Sequence, residues 1–186
     1  MSIQKTVTLN NGIQMPQFGL GVFQTAEGQE VETAVRTALD AGYRHIDTAA
    51  LYKNEIGVGN AVRASGIARE DIFVTTKVWN SNQREGTVRE ALEDSLRKLD
   101  LGYIDLYLIH WPVKEKYVET WLTLEKLYAE GKIRSIGVSN FKEHHFEDVL
   151  KAGDLVPTVN QVELHPRLRL ADLQSYLQSK NCYIEA

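Results

Sequence analysis

"IFVTTKVWNSNQREGTVREALEDSLRKLDLGYIDLYLIH", residues 72–110, holds one whole unit of the architecture. It opens on a β-branched, apolar run, Ile72 to Val78, and closes on a second, Ile104 to His110. Between them Val88, Ala91, Leu92, Leu96 and Leu99 recur at helical spacing on one face. Thr87, three residues before Glu90, reads as a capping box at the start of that helix. A strand, a helix and a strand at this spacing imply parallel strands joined by a right-handed crossover. Runs that are apolar on both faces belong to a sheet covered by helices.

Outward from this unit the pattern repeats. β-Rich runs begin at Phe18, His45, Ile72, Ile104, Ile133, Thr158 and Cys182, 24 to 32 residues apart. Val31, Ala34, Val35, Ala38 and Leu39 mark another one-sided helix, with Gly42 placed as its stop. The fold class is therefore α/β. A doubly wound sheet and a closed (β/α)8 TIM barrel both satisfy the pattern, but "GLGVFQ" lacks the third glycine and the immediate helix of a dinucleotide fingerprint. The barrel is favoured, with residues 1–186 as one domain. Ahead of the repeat, Asn11-Gly12 between two short β-prone runs predicts an N-terminal hairpin capping the barrel bottom.

Composition narrows the function classes. Of the 186 residues, 43% are hydrophobic and 25% charged, with a net charge of -4, so no basic field exists for nucleic acid or anionic membrane. A small molecule is the expected partner. The N-terminal stretch shows no apolar leader, and no run is long enough to span a bilayer, so a cytoplasmic location is expected. Cys182 stands alone in an apolar run, which excludes an intrachain disulfide and reads as a buried, inert thiol.

In barrels, chemistry collects where strands end. The second run ends in Asp47-Thr48, the third in Lys77, the fourth in His110, the fifth in Ser139-Asn140, and the sixth carries Gln161 and Glu163. A strand-end acid alone is usually a cap, and a lone lysine can snorkel to solvent. Three such groups on neighbouring strands, about 5 Å apart, point to a shared site. A buried Lys77 needs a counter-ion, which Asp47 can supply. A cation beside Tyr52 should pull the phenol below its reference pKa of about 10 and make it a proton donor. Neutral His110 could donate to a carbonyl oxygen gaining charge. The set suits carbonyl reduction, with a hydride from elsewhere. A Schiff-base aldolase through Lys77 is the competing chemistry. A metal site from Asp47, His110, Glu163 and His165 is disfavoured by spacing. His144 and His145 read as solvated at a helix start, His45 as remote from the chemistry, and His165 as packed in a loop.

"GYRHIDTAALYKNE", "LRKLDLGYIDLYLIHWP" and "IRSIGVSNF" closely resemble the signature regions of the aldo-keto reductases, and the likeness runs the length of the chain. It is similar to bacterial-type aldehyde reductases of the 2,5-diketo-D-gluconate reductase kind. The resemblance implies a (β/α)8 barrel that uses NADPH, or NADH, to reduce aldehydes and ketones. It implies Tyr52 as general acid, Lys77 and Asp47 as its relay, and His110 as the residue orienting the carbonyl. Ser139, Asn140 and Gln161 match the family's nicotinamide-carboxamide ligands. Phe23, Trp79 and Trp111 stand where an aromatic substrate wall is expected. "HWPVKEKYVETW" looks like a shortened substrate loop, implying an open pocket.

The sequence departs from the family at "NCYIEA", in the seventh strand. The family continues with an aromatic under the nicotinamide, an eighth strand and a basic segment for the 2′-phosphate. A fragment of a longer, monomeric enzyme is the favoured reading. A genuine truncation would leave an incomplete barrel of about seven strands, with edges on strands one and seven that invite self-association. Such a chain could serve as a non-catalytic binding subunit closed by a partner.

Overall fold

The protein is described here by a computed structural model covering residues 5–186. The leader reading above begins on residues 1–4, which lie outside the described residues. Strands β1 (Thr6–Thr8) and β2 (Gln14–Pro16) form an antiparallel hairpin. Seven parallel strands follow: β3 (Leu20–Gly21), β4 (His45–Asp47), β5 (Phe73–Val78), β6 (Leu106–Ile109), β7 (Ile136–Ser139), β8 (Val159–Gln161) and β9 (Tyr183–Glu185). They neighbour one another in strict chain order, which is the wall of a (β/α)8 barrel with seven strands present. Helices α1 (Gln29–Asp40), α2 (Glu55–Ala64), α3 (Asn80–Glu85), α4 (Val88–Leu99), α5 (Tyr117–Ala129), α6 (Glu143–Ala152) and α7 (Ala171–Ser179) make the crossovers.

All six residues of β5 and all four of β6 and β7 are buried. Helices cover one face and the barrel interior closes the other, so these strands need no polar alternation. Val31, Val35, Ala38 and Leu39 of α1 and Val88, Ala91, Leu92 and Leu99 of α4 are buried, the faces expected from their spacing. Gly42 ends α1 in a left-handed conformation (φ 97°), its N–H donating to the Leu39 carbonyl at 3.0 Å. At Gly59 of α2 a Cβ would lie 2.0 Å from the Leu99 carbonyl oxygen, so only glycine lets α2 approach the end of α4.

The capping box expected at Thr87 does not form. Thr87 does precede α4, but its backbone, at φ -99° and ψ 40°, is outside the extended region of a capping residue, and Oγ1 accepts from Asn82 Nδ2 at 3.0 Å and from no N–H of the helix. The hairpin does seal the bottom. Leu9 and Met15 pack on Phe73, Leu106, Leu108 and Val159, each buried side chain contributing about 1.5–3 kcal/mol. Asn11 Nδ2 donates to the Arg134 carbonyl at 2.9 Å and Asn10 Nδ2 to those of Val156 and Pro157, tying the hairpin to the entrances of β7 and β8.

Candidate active site

Lys77 lies on β5 with no exposure. Its Nζ donates to Asp47 Oδ1 at 2.6 Å and to the Thr48 carbonyl at 3.0 Å. Burial pulls its pKa down, but Asp47 and Tyr52 overcome that and leave it above the ordinary lysine value, so the side chain is cationic. Replacing such a pair by apolar residues often costs little stability, so its presence calls for a reason beyond folding.

Tyr52 ends a short 3-10 turn, Ala50–Tyr52, just after β4. Lys77 Nζ is 5.2 Å from its ring centre, and the His110 ring packs edge-on at 5.7 Å. The expected lowering of the phenol pKa is not found. Burial is the largest influence and raises it, Lys77 pulls it down, and Asp47 works against Lys77. Tyr52 therefore holds its proton at neutral pH. His110 is pushed down to about 4, by burial first and then by Lys77, so its imidazole is neutral. Its Nδ1 is buried without a hydrogen-bond partner among the described residues.

Asn140, left-handed at φ 63°, donates from Nδ2 to the His110 carbonyl at 3.0 Å and to Ser139 Oγ at 3.1 Å. Ser139 Oγ donates to the Gln161 carbonyl at 2.9 Å, and Gln161 Nε2 to Asp47 Oδ2 at 2.9 Å. These three residues are thus chained to the Lys77–Asp47 pair. Together with Phe23, Tyr52, His110 and Trp111 they line one cavity of about 540 Å3. Phe23 packs on Tyr52 at 5.0 Å and Trp79 on His110 at 5.0 Å. The side-chain oxygens of Asn140 and Gln161 accept no hydrogen bond from the described residues. A hydroxyl and two amides with free acceptors are complementary to a carboxamide, so the residues present fit a nicotinamide.

Among the described residues no three His, Cys, Asp or Glu side chains group to hold a metal ion. His165 is exposed on Glu163 (3.2 Å) rather than packed. His145 half-buries against Tyr117 and Phe141, accepting the Lys142 N–H, while His144 is exposed. His45 sits buried on β4, its Nε2 2.9 Å from Thr75 Oγ1. The Cys182 thiol is buried, which pushes its pKa up and keeps it inert.

Two groups escaped the sequence reading. Glu185 ends β9 in register with Gln161, and the cleft between β3 and β9 holds it with Asp47 and His45. Its pKa is raised, by burial first, with Asp47 adding to the rise and His45 and Lys77 opposing it. The strand-end rule that selected Asp47 would have selected it too. Asn54 is the second, fully buried two residues after Tyr52.

Residues 17–184 match the Aldo/keto reductase family. The chain is 54% identical over 185 residues to a glyoxal reductase of Bacillus subtilis (strain 168), covering 100% of this chain and 67% of that protein. It is 48% identical over 178 residues to a methylglyoxal reductase of Escherichia coli (strain K12), covering 95% and 64%. A crystal structure of an aldo/keto reductase from Brucella melitensis superposes with a TM-score of 0.94 at 48% identity, covering 98% of this chain and 72% of that one. The chain therefore belongs to the aldo/keto reductase family, a family of oxidoreductases. It spans about two thirds of the length of the curated relatives it matches.

Proposed function

We propose that the protein reduces aldehydes and ketones to alcohols with NADPH, NADH being the second possible donor. The observation that carries the reading is the shared mouth. A protonated Tyr52 beside cationic Lys77, a neutral His110 and the carboxamide-complementary trio Ser139, Asn140 and Gln161 all meet at one cavity. The nicotinamide, when bound, supplies the hydride for the carbonyl carbon. Ser139, Asn140 and Gln161 would hold its carboxamide. His110 donates a hydrogen bond to the carbonyl oxygen and fixes its direction. Tyr52 gives its phenolic proton to that oxygen, and Lys77 stabilises the phenolate left behind until a solvent proton restores it. One hydride and one proton are thus added across the carbonyl.

The relatives' names point to small aldehydes and 2-oxoaldehydes as the substrate class. The short connection from β6 to α5 supports an open pocket, with exposed Phe23 and Trp111 at its rim. The location proposed is the cytoplasm, and the state a monomer for an intact barrel; among the described residues no helix is long and apolar enough to cross a membrane. The Schiff-base alternative needs an uncharged amine, and Asp47 keeps Lys77 charged. Borohydride trapping with a carbonyl substrate should leave Lys77 unlabelled. Aldehyde-dependent NADPH oxidation by the purified protein tests the main reading. Turnover should fall about 10²- to 10⁴-fold in Tyr52→Phe, and unchanged turnover would sink the mechanism.

A further inference from the structure

Tyr52 is delivered by a turn that has little of its own to hold it. Its N–H donates to the Ala49 carbonyl at 2.9 Å, and the next residue, Lys53, is left-handed at φ 58° without being a glycine. The chain then reaches Asn54, whose side chain is fully buried and bonds two backbone carbonyls of one loop and the hydroxyl of a third residue. Nδ2 donates to the Val22 carbonyl at 2.9 Å and to the Thr25 carbonyl at 3.0 Å. Oδ1 accepts from Thr48 Oγ1 at 2.7 Å.

Each attachment leads to a group of the site. Val22 and Thr25 bracket Phe23, whose ring packs on Tyr52. Thr48 follows Asp47, and its carbonyl oxygen accepts from Lys77 Nζ at 3.0 Å. We propose that Asn54 is the positioning residue that sets Tyr52 against both Lys77 and Phe23. One buried amide thereby fixes the reach of the proton donor and the first wall of the substrate pocket. The proposal rests on the reductase reading of this site.

The chemistry of the position is selective. It requires two N–H donors and one acceptor within a side chain short enough to stay beside its own turn. Aspartate has the shape but would point an oxygen at the Val22 and Thr25 carbonyls. Alanine leaves two carbonyls and a threonine hydroxyl unpaired in the interior. In either case the Phe23 loop and the Tyr52 turn lose their common anchor while Lys77 and Asp47 keep their ion pair.

The test uses Asn54→Asp together with Thr48→Val, which deletes one bond of the clamp at nearly constant size, and Thr48→Ser, which restores the hydroxyl. For each, kcat and KM are measured with a small and an aromatic aldehyde, alongside NADPH affinity and the phenol titration taken as a difference against Tyr52→Phe. Asn54→Asp and Thr48→Val should lower kcat about 10- to 100-fold, as a misplaced proton donor does. They should also change the preference between the two aldehydes and leave NADPH affinity unaltered, and Thr48→Ser should recover most of the loss. The Tyr52 titration should move down toward the ordinary phenol value as the turn loosens. Unchanged kcat and preference would overturn the proposal. So would a loss that tracks the unfolded fraction and takes NADPH affinity with it. If the parent protein reduces no aldehyde, the reductase reading fails by itself. The phenol titration then decides the positioning claim, an unmoved titration in Thr48→Val refuting it.

Discussion

Asp105 and Asp47 are acids of the same barrel wall, one at each end of it, and their surroundings differ in kind. Asp105 enters β6 at the N-terminal end with a side chain 1% exposed. Its Oδ2 accepts from Arg69 Nη2 at 2.7 Å and from the Val74 N–H at 2.9 Å, and Oδ1 accepts from Arg134 Nη1 at 2.9 Å. The two guanidinium groups also lie 4.0 and 5.5 Å from the Tyr103 ring centre. Nothing in that cluster faces a reacting group. Asp47, at the C-terminal end, is 13% exposed and binds a single lysine and the Gln161 amide. Its Gln161 partner borders a cavity lined also by Tyr52 and the neutral His110, and its Lys77 partner lies 5.2 Å from the Tyr52 ring centre. Both ends border a cavity, that beside Asp105 measuring about 620 Å3, so openness does not separate them. An acid taken up by two guanidinium groups and a backbone N–H holds structure together, whereas a pair flanked by a phenol and an imidazole of displaced pKa is equipped for chemistry.

Lys77→Met strikes the Asp47 end hardest. It leaves Asp47 without its cation and Tyr52 without the charge that stabilises its phenolate, so steady-state reduction should fall at least about 10²-fold. Chemical denaturation should show a loss on the order of 3 kcal/mol, since one member of a buried pair is stranded. An active, equally stable variant would mean that the pair is no more functional than the Asp105 cluster.

The second prediction concerns pH. His110 titrates at about 4 in the folded protein and near 6.5 when unfolded, so the unfolded chain binds the extra proton first as the medium is acidified. Its contribution to stability is full above about pH 6.5 and is lost as pH falls through about 4. Urea midpoints measured across that window should decline more steeply for the parent than for His110→Gln. Parallel declines would show that the imidazole is not held neutral.

Phe23→Ala probes the outermost part of the Asp47 end. The ring is 61% exposed and its main neighbour is Tyr52, so melting should barely move. KM for an aromatic aldehyde should rise about threefold to tenfold, the worth of one aromatic contact, with a smaller change for a two- or three-carbon aldehyde. Equal changes for both would remove Phe23 from the substrate wall.

The contrast between the two ends was only half visible in the sequence. Period and spacing were enough for the seven strands, because runs such as Phe73–Val78 are apolar for a reason that acts locally, burial on both faces. Asp47, Lys77 and His110 could be singled out because strand ends are countable, and their sharing of one site follows from strand order. What could not be read was anything decided by competition in three dimensions. The Thr87 hydroxyl went to Asn82 rather than to its helix, and the Tyr52 phenol was raised because burial outweighed the lysine. Asn54 lies within the quoted signature, but its three partners are separated from it by 6 to 32 residues, and spacing carries no trace of them.

The most direct test of the division between the ends is turnover per folded molecule, measured in parallel with thermal melting, for Tyr52→Phe and Asp105→Asn. Tyr52→Phe should melt with the parent and lose nearly all aldehyde reduction, while Asp105→Asn should melt well below the parent and keep its turnover at temperatures where it is folded. Full turnover in Tyr52→Phe, or its loss in folded Asp105→Asn, would contradict the account.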